Sequence, residues 1–341
     1  MRHSSTITAH LDVWGNTKNR SDWSGILLGN GSSRALWEPF AYPSLFQRAA
    51  SAEISHPLTA TDKALFSKLG DTTNFESILA DLLTATTVNK ALRMPHSQIP
   101  RRYRSIRRAL IEAVHSVHLP WDRLSEETKT RIRKELRRYS FVFTTNYDLV
   151  VYWCFMAEGG DGFKDYFWNQ NRTFDASDSK VWNSPTKITK ILYLHGALHL
   201  YKTATGRTVK EVRGGAGSLL DHFAANENRI PFFISEGSSR HKMQAIAQSD
   251  YLSFGLKTLS EFDGSLVVFG HSLGTRDKHI VAAISKRHSL KLAYSIYPGK
   301  PSEIIREKSR IVGLFPNASI YFFNARTHPL GRSSLRIPST S

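Results

Sequence analysis

From Ser140 onward the chain alternates polar stretches with short apolar runs: SFVFTT, KILYLHG, IPFFISEG, SLVVFG, LKLAYSIY and ASIYFF, with an earlier one, SGILL, near Trp23. Several of these runs are continuously apolar. That is the pattern of strands buried on both faces of a parallel sheet, rather than strands with one face in water. Between about residues 49 and 138 the period changes to that of a helix. Phe75, Ile78, Leu79, Leu82 and Leu83 share one face, and Tyr103, Ile106, Leu110, Val114 and Val117 share another. Ser125, followed by Glu126 and Glu127, predicts the N-cap of a further helix carrying Ile132 and Leu136. These patterns predict an α/β fold, doubly wound around a mainly parallel sheet, with a helical insert.

The polar, aperiodic residues 1–22 read as a loose leader, and the polar, proline-containing residues 326–341 as a flexible tail. The domain is therefore expected over residues 23–325. TATGRTVKEVRGGAGS reads as loop at the sheet edge.

A hydrophobic content of 40% over 341 residues suffices for a sizeable core. The single cysteine, Cys154, excludes an intramolecular disulfide framework and any multi-cysteine zinc module, and suits a reducing, cytoplasmic setting. The opening MRHSSTITAH has no apolar core, and the run LVVYWCFMA is too short to span a bilayer, so a soluble protein is expected. The formal net charge of +17 implies an anionic partner, whether nucleic acid, nucleotide or acidic protein surface. Much of the charge sits in RRYRSIRR and RIRKELRR, which read first as solvated outer faces of amphipathic helices and second as a partner surface.

Four short motifs follow apolar runs and so fall at strand ends, where open α/β sheets bind ligands. LLGNGSS supplies Gly29, Asn30, Gly31, Ser32 and Ser33, a glycine turn compatible with a pyrophosphate or with a purely structural turn. FVFTTNYD supplies Thr145, Asn146 and Asp148, which suit a sugar or water site but also a helix cap. In ILYLHG, His195 is a natural general base at neutral pH, and Gly196 leaves room for a substrate to reach the ring. The alternative is a satisfied buried histidine. His199 is not expected to bind metal, because a third ligand is not evident nearby. VVFGHSLG supplies Gly270 and Ser272 and fits the G-x-S-x-G elbow of α/β-hydrolases. A hydrolase would need an acid and a histidine after Ser272. Asp277 and His279 lie too close to the elbow, which leaves Glu303 and His328.

Taken in order, GNGSS, TTNYD, LHG and GHSL resemble the motif series of the sirtuin superfamily. More closely, residues 23 to 323, with NFESIL in the insert and PFFISEGSSRHKMQAIAQSDYL late in the chain, resemble the prokaryotic sirtuin-like NADases of antiphage defence. The resemblance implies a Rossmann-like domain that hydrolyses NAD+ to nicotinamide and ADP-ribose, with no metal. It implies that Gly29, Gly31 and Ser32 cradle the pyrophosphate, with Asn30, Ser33, Thr145, Gly270 and Asp277 completing the cofactor-binding set. Asn146 would orient the nicotinamide ribose or the attacking water, Asp148 would support its loop, His195 would act as general base, and Ser272 would contact the adenosine ribose or a phosphate. Deacylating sirtuins carry a four-cysteine zinc module that this chain cannot build, so hydrolysis is the expected branch. A homo-oligomer, or a co-encoded sensor or activator protein, is the expected partner, with nucleic acid reached through it and no membrane contact. Two rivals stand beside this reading: a serine hydrolase using Ser272, and a non-enzymatic nucleotide or nucleic-acid binding module.

Overall fold

A computed structural model describes residues 7–41, 44–178, 187–203, 205–212, 219, 229, 231–234, 239–287 and 289–338. The runs of continuous apolar residues become strands with almost no exposed side chain. Ile26 and Leu27 of β1 (Trp23–Leu28), Val142 and Phe143 of β2 (Phe141–Thr144), and Ile191 and Leu192 of β4 (Thr189–Tyr193) are fully buried, as are Val267 and Val268 of β8 (Ser265–Phe269). With β3 (Phe163–Lys164), β9 (Lys291–Ile296) and β10 (Ser319–Asn324) they form a seven-stranded sheet in the order β10-β9-β8-β1-β2-β4-β3. Every neighbouring pair in it is parallel. Helices flank the sheet, giving the Rossmann-like, doubly wound α/β architecture expected of strands buried on both faces.

Between β1 and β2 the chain forms the helices Asn30–Leu36, Leu45–Ala50, Ala60–Lys68, Phe75–Ala91, Gln98–Val117 and Glu126–Leu136. The predicted faces are buried at Phe75, Ile78, Leu79 and Leu82 and from Tyr103 to Val117, but Leu83 is 46% exposed. Ser125 caps the last of these helices by accepting the Thr128 amide at 3.2 Å.

Five expectations need correction. The leader is not loose over its described part. Asp12 pairs with Phe323, and the helix Trp14–Lys18 buries Trp14 against Phe323 and His328, ring centroids 4.8 and 4.5 Å away. Nor is the tail flexible up to residue 338: Leu330 and Leu335 are buried, and the Ile337 amide donates to Leu36 O at 2.8 Å. Single anchoring side chains have no period, so a pattern search misses them; residues 1–6 and 339–341 of these segments lie outside the described residues.

IPFFISEG does not join the parallel sheet. Its strand β7 (Pro231–Phe233) lies with β5 (Gly196–Lys202) and β6 (Thr208–Lys210) in a small antiparallel sheet, and β6 falls inside the segment expected to be loop. Finally, RIRKELRR is not a solvated face throughout. Arg133 is buried and donates to the carbonyls of Phe155, Ala157 and Asp161 at 3.1, 3.0 and 2.6 Å, the first of which lies in the last turn of the helix Val150–Met156. Arg137 likewise holds the carbonyls of Gly162 and Lys187. Among the described residues, no helix is long and apolar enough to cross a membrane.

Candidate functional site

In the sheet order, β1 leads outward to β2 on one side, whereas its other neighbour β8 leads to β9 on the opposite side. The crevice outside the carboxyl ends of such a strand pair is where open α/β sheets bind ligands. A cavity of about 420 Å³ lies there. Asn30 and Gly31 line it from the first turn of the helix Asn30–Leu36 that follows β1, Thr145, Asn146 and Asp148 from the loop after β2, His195 from just past the end of β4, and Gly270, Ser272 and Asp277 from the segment after β8. Among the lining residues not predicted from the sequence, four carry ionisable side chains: Arg34, Lys242, His271 and Arg276.

Three amides of the segment expected to cradle a phosphate have partners within the fold. The Gly31 amide donates to Gly270 O at 2.8 Å, the Ser32 amide to Gly29 O at 2.9 Å, and the Gly29 amide to Phe269 O at 3.0 Å, so these donors are engaged within the fold. A side chain on Gly29 would sit 2.5 Å from His271 Cα, and one on Gly31 would sit 2.8 Å from Gly270 Cα. Gly270 adopts φ +67°, and a Cβ there would lie 2.3 Å from Ser32 N. The glycines thus let two loops pack backbone to backbone. Gly270→Ala is expected to cost about 1–3 kcal/mol from backbone conformation alone, with the clash in addition, read as a lowered urea midpoint. An unchanged midpoint would mean that the loops are not clamped together.

Asn146, nearly buried, directs its amide nitrogen at Gly29 O, Ser32 Oγ and Ser33 Oγ, at 3.0, 3.0 and 2.9 Å. Ser33 Oγ in turn donates to Asp148 Oδ2 at 2.6 Å, and the Val150 amide donates to Asp148 Oδ1 at 2.9 Å. Burial raises the Asp148 carboxyl above its ordinary range against the lowering effect of these hydrogen bonds. Asp148 therefore combines two readings, since it helps start the helix Val150–Met156 and, through Ser33, fixes Asn146. With its nitrogen committed to the glycine loop, Asn146 has Oδ1, an acceptor, to offer to the cavity.

His195 occupies the junction of β4 and β5. Gly196 takes φ +75°, and a Cβ there would lie 2.3 Å from Phe232 O, so this glycine serves the turn into the small sheet rather than access to the ring. His195 Nε2 lies 2.8 Å from His279 Nε2, so a proton is shared between the two imidazoles. Asp277 Oδ1 lies 3.9 Å from His195 Nε2 and 2.7 Å from Lys242 Nζ. His271 accepts the Leu273 amide on Nδ1 at 2.9 Å, which leaves Nε2–H facing Asp277 Oδ2 at 3.7 Å. Desolvation first, then the charge of Lys242, holds His195 well below the usual histidine range. Burial pushes His271 and His279 down to about 4, although Asp277 opposes this in both. Burial raises the Asp277 carboxyl, but Lys242 and the neighbouring histidines outweigh it and keep the group below its ordinary value. The sequence assigned Asp277 to the cofactor; the structure engages its carboxylate within the histidine cluster. His195, Asp277 and His279 offer ligand atoms within 4.8 Å of one another, a spacing that suits a metal ion, and Lys242 already supplies a cation to the same carboxylate.

Ser272 is exposed at the cavity, and its geometry is unlike that of a nucleophile elbow. Positive φ falls on Gly270 and Leu273 rather than on Ser272, and the next α-helix, Lys278–Ser285, begins six residues later. The ring nitrogens of His271 and His279 are turned to the partners named above or, for His279 Nδ1, to Ser239 Oγ at 3.3 Å. His328 is fully buried against Phe269 and Trp14, and neither it nor Glu303 lines the cavity. His199 is buried in β5, stacked on Tyr152 with centroids 4.2 Å apart, away from the site.

The residues missed by sequence reading carried faint signals. GHSLGTRDKH holds two histidines beside an aspartate, while Lys242 lies in the segment SSRHKMQ, for which no role was read. Arg34 and Arg276 sit among many arginines and had nothing to single them out.

Among curated proteins none matches the chain. A family model described as a domain of unknown function, DUF4917, matches residues 26–329, from within β1 to past β10, and so takes in every loop of the cavity. The chain belongs to that family.

Proposed function

We propose that this DUF4917 chain is an NAD+ glycohydrolase, releasing nicotinamide and ADP-ribose. The observation that carries the reading is one cavity, at the switch point of a parallel sheet, lined both by Asn146, whose amide nitrogen is fixed by the glycine segment, and by His195, which is hydrogen-bonded to His279. The order of the four motifs, with its resemblance to sirtuin-like NADases, supports the same reading. Its volume of about 420 Å³ is in the range of small-molecule sites.

The roles follow from which groups remain available. Arg34 and Arg276 supply the countercharge for the pyrophosphate in place of the engaged loop amides, and the Ser272 hydroxyl contacts the adenosine ribose or a phosphate. Asn146 Oδ1 accepts a hydrogen bond from a ribose hydroxyl or the attacking water. The bond between C1′ and the nicotinamide nitrogen breaks with its electron pair leaving on the ring, which becomes neutral. Water oxygen bonds to C1′, and its proton passes to the His195–His279 pair beside the Asp277 carboxylate. Because positive charge develops at C1′ before water bonds, a mild base and well-placed oxygen contacts suffice.

By the same resemblance the protein acts as a triggered, NAD+-depleting effector of prokaryotic antiphage defence, as a homo-oligomer or with a co-encoded sensor. Proton NMR of NAD+ with the full chain, alongside cellular NAD+ after expression, tests the activity. Nicotinamide release in the tube supports it directly; NAD+ loss confined to cells supports it with a missing activator; no loss in either setting overturns it. Prior dialysis against EDTA is expected to leave the rate unchanged. Loss of rate restored by zinc or manganese would make His195, Asp277 and His279 metal ligands instead.

A further inference from the structure

A second, larger cavity, of about 880 Å³, lies in the helical insert between segment 55–59 and one stripe of the helix Gln98–Val117. Its walls hold Arg101, Arg104, Arg107 and Arg108 against one acidic residue, Glu112. Glu112 is already shared: His56 Nδ1 lies 2.6 Å from one carboxylate oxygen, and Arg108 Nε 3.3 Å from the same atom. Arg107 is buried and donates to Arg229 O at 3.1 Å. Arg101 and Arg104, one turn apart and exposed, have no carboxylate partner among the described residues. The floor is apolar, with Pro57, Leu58 and Ile111.

Two unpaired guanidinium forks over an apolar floor suit phosphate groups attached to a flat or apolar body. A nucleic-acid duplex instead requires a stripe of cations that continues along its backbone. No such stripe continues into RIRKELRR, where Arg133 and Arg137 hold backbone carbonyls and Arg131 pairs with Glu127 at 2.6 Å. The end of the same helix also contacts the segment after β2, part of which lines the first cavity. Val117 O, at its end, accepts from Trp37 Nε1 at 3.2 Å, and His118 Nε2 accepts the Leu149 amide at 3.0 Å, one residue beyond Asp148.

We infer that this groove is an effector site for a phosphorylated small molecule of nucleotide size, distinct from the cavity at the sheet edge and linked to it through the helix Gln98–Val117. Binding stands independently of NAD+ cleavage; control of the rate rests on that reading. Isothermal titration of the full chain with ATP and with inorganic tripolyphosphate at fixed salt separates the two sites. ATP binding is expected to weaken at least tenfold in Arg101→Gln/Arg104→Gln, with melting and circular dichroism unchanged, and to persist in Arg34→Gln/Arg276→Gln. ATP is also expected to change the NAD+ cleavage rate severalfold in the wild type and not in the first variant. Equal ATP binding by the first variant and the wild type overturns the site. So does binding of a 30-base-pair duplex, lost in the first variant, with no binding of ATP or tripolyphosphate. An ATP-bound protein whose cleavage rate is unmoved overturns the control.

Discussion

Asn146→Ala is expected to lower the rate of NAD+ cleavage by about 100-fold or more, the scale of losing one positioned polar contact at a reacting centre. The same change is expected to cost about 1–3 kcal/mol of stability, because Gly29 O, Ser32 Oγ and Ser33 Oγ all lose the donor they share. The two effects separate in Ser33→Ala. That variant removes the hydroxyl linking Asn146 to Asp148 but keeps the amide oxygen, so it should lose stability with a much smaller fall in kcat. Single-turnover nicotinamide release and urea unfolding of both variants give the comparison. Wild-type rates in Asn146→Ala would remove Asn146 from the chemistry. Wild-type stability there would mean that the hydrogen bonds to the glycine loop contribute nothing.

Acid is expected to unfold this protein steeply from about pH 6.5 downward. His118, His271 and His279 are pushed down to about 4 and His328 to about 3, each first by burial, while His195 and His199 lie well below the usual range for the same first cause. In the unfolded chain these six histidines take up protons near pH 6.5, whereas in the fold they do not until their own lower values are reached. Between those limits the unfolded state binds more protons, so stability is complete above the window and falls as pH drops, by about 1.4 kcal/mol per pH unit for each histidine. Asp148 and Glu135, whose carboxyls burial raises, act in the opposite sense and offset part of the loss. Melting temperatures from pH 7.5 to 4.5 measure the slope. His199→Phe is the sharpest control, since neither ring nitrogen has a hydrogen-bond partner among the described residues and the ring stacks on Tyr152. It should flatten the slope by about one histidine's share. A melting temperature that does not move with pH would mean that these histidines are not held neutral by the fold.

Local pattern was enough to fix part of this protein. Continuous apolar runs announced strands covered on both faces, the helical period placed the insert, and glycine and polar residues after apolar runs marked four loops that do surround one cavity. Those signals are legible because burial and backbone conformation are written in neighbouring residues. What each group has left to offer was decided only in three dimensions. Gly31 and Ser32 looked like free amide donors until packing against Gly270 and Gly29 engaged them, and Asn146 proved to present an acceptor because its nitrogen faces the glycine loop. Arg133 looked solvated until the end of another helix claimed it. His195 and His279 share a proton across 84 residues of sequence, and Lys242, from a third segment, sets the charge of Asp277 beside them. A side chain's partner depends on where distant segments arrive, and no local period records that.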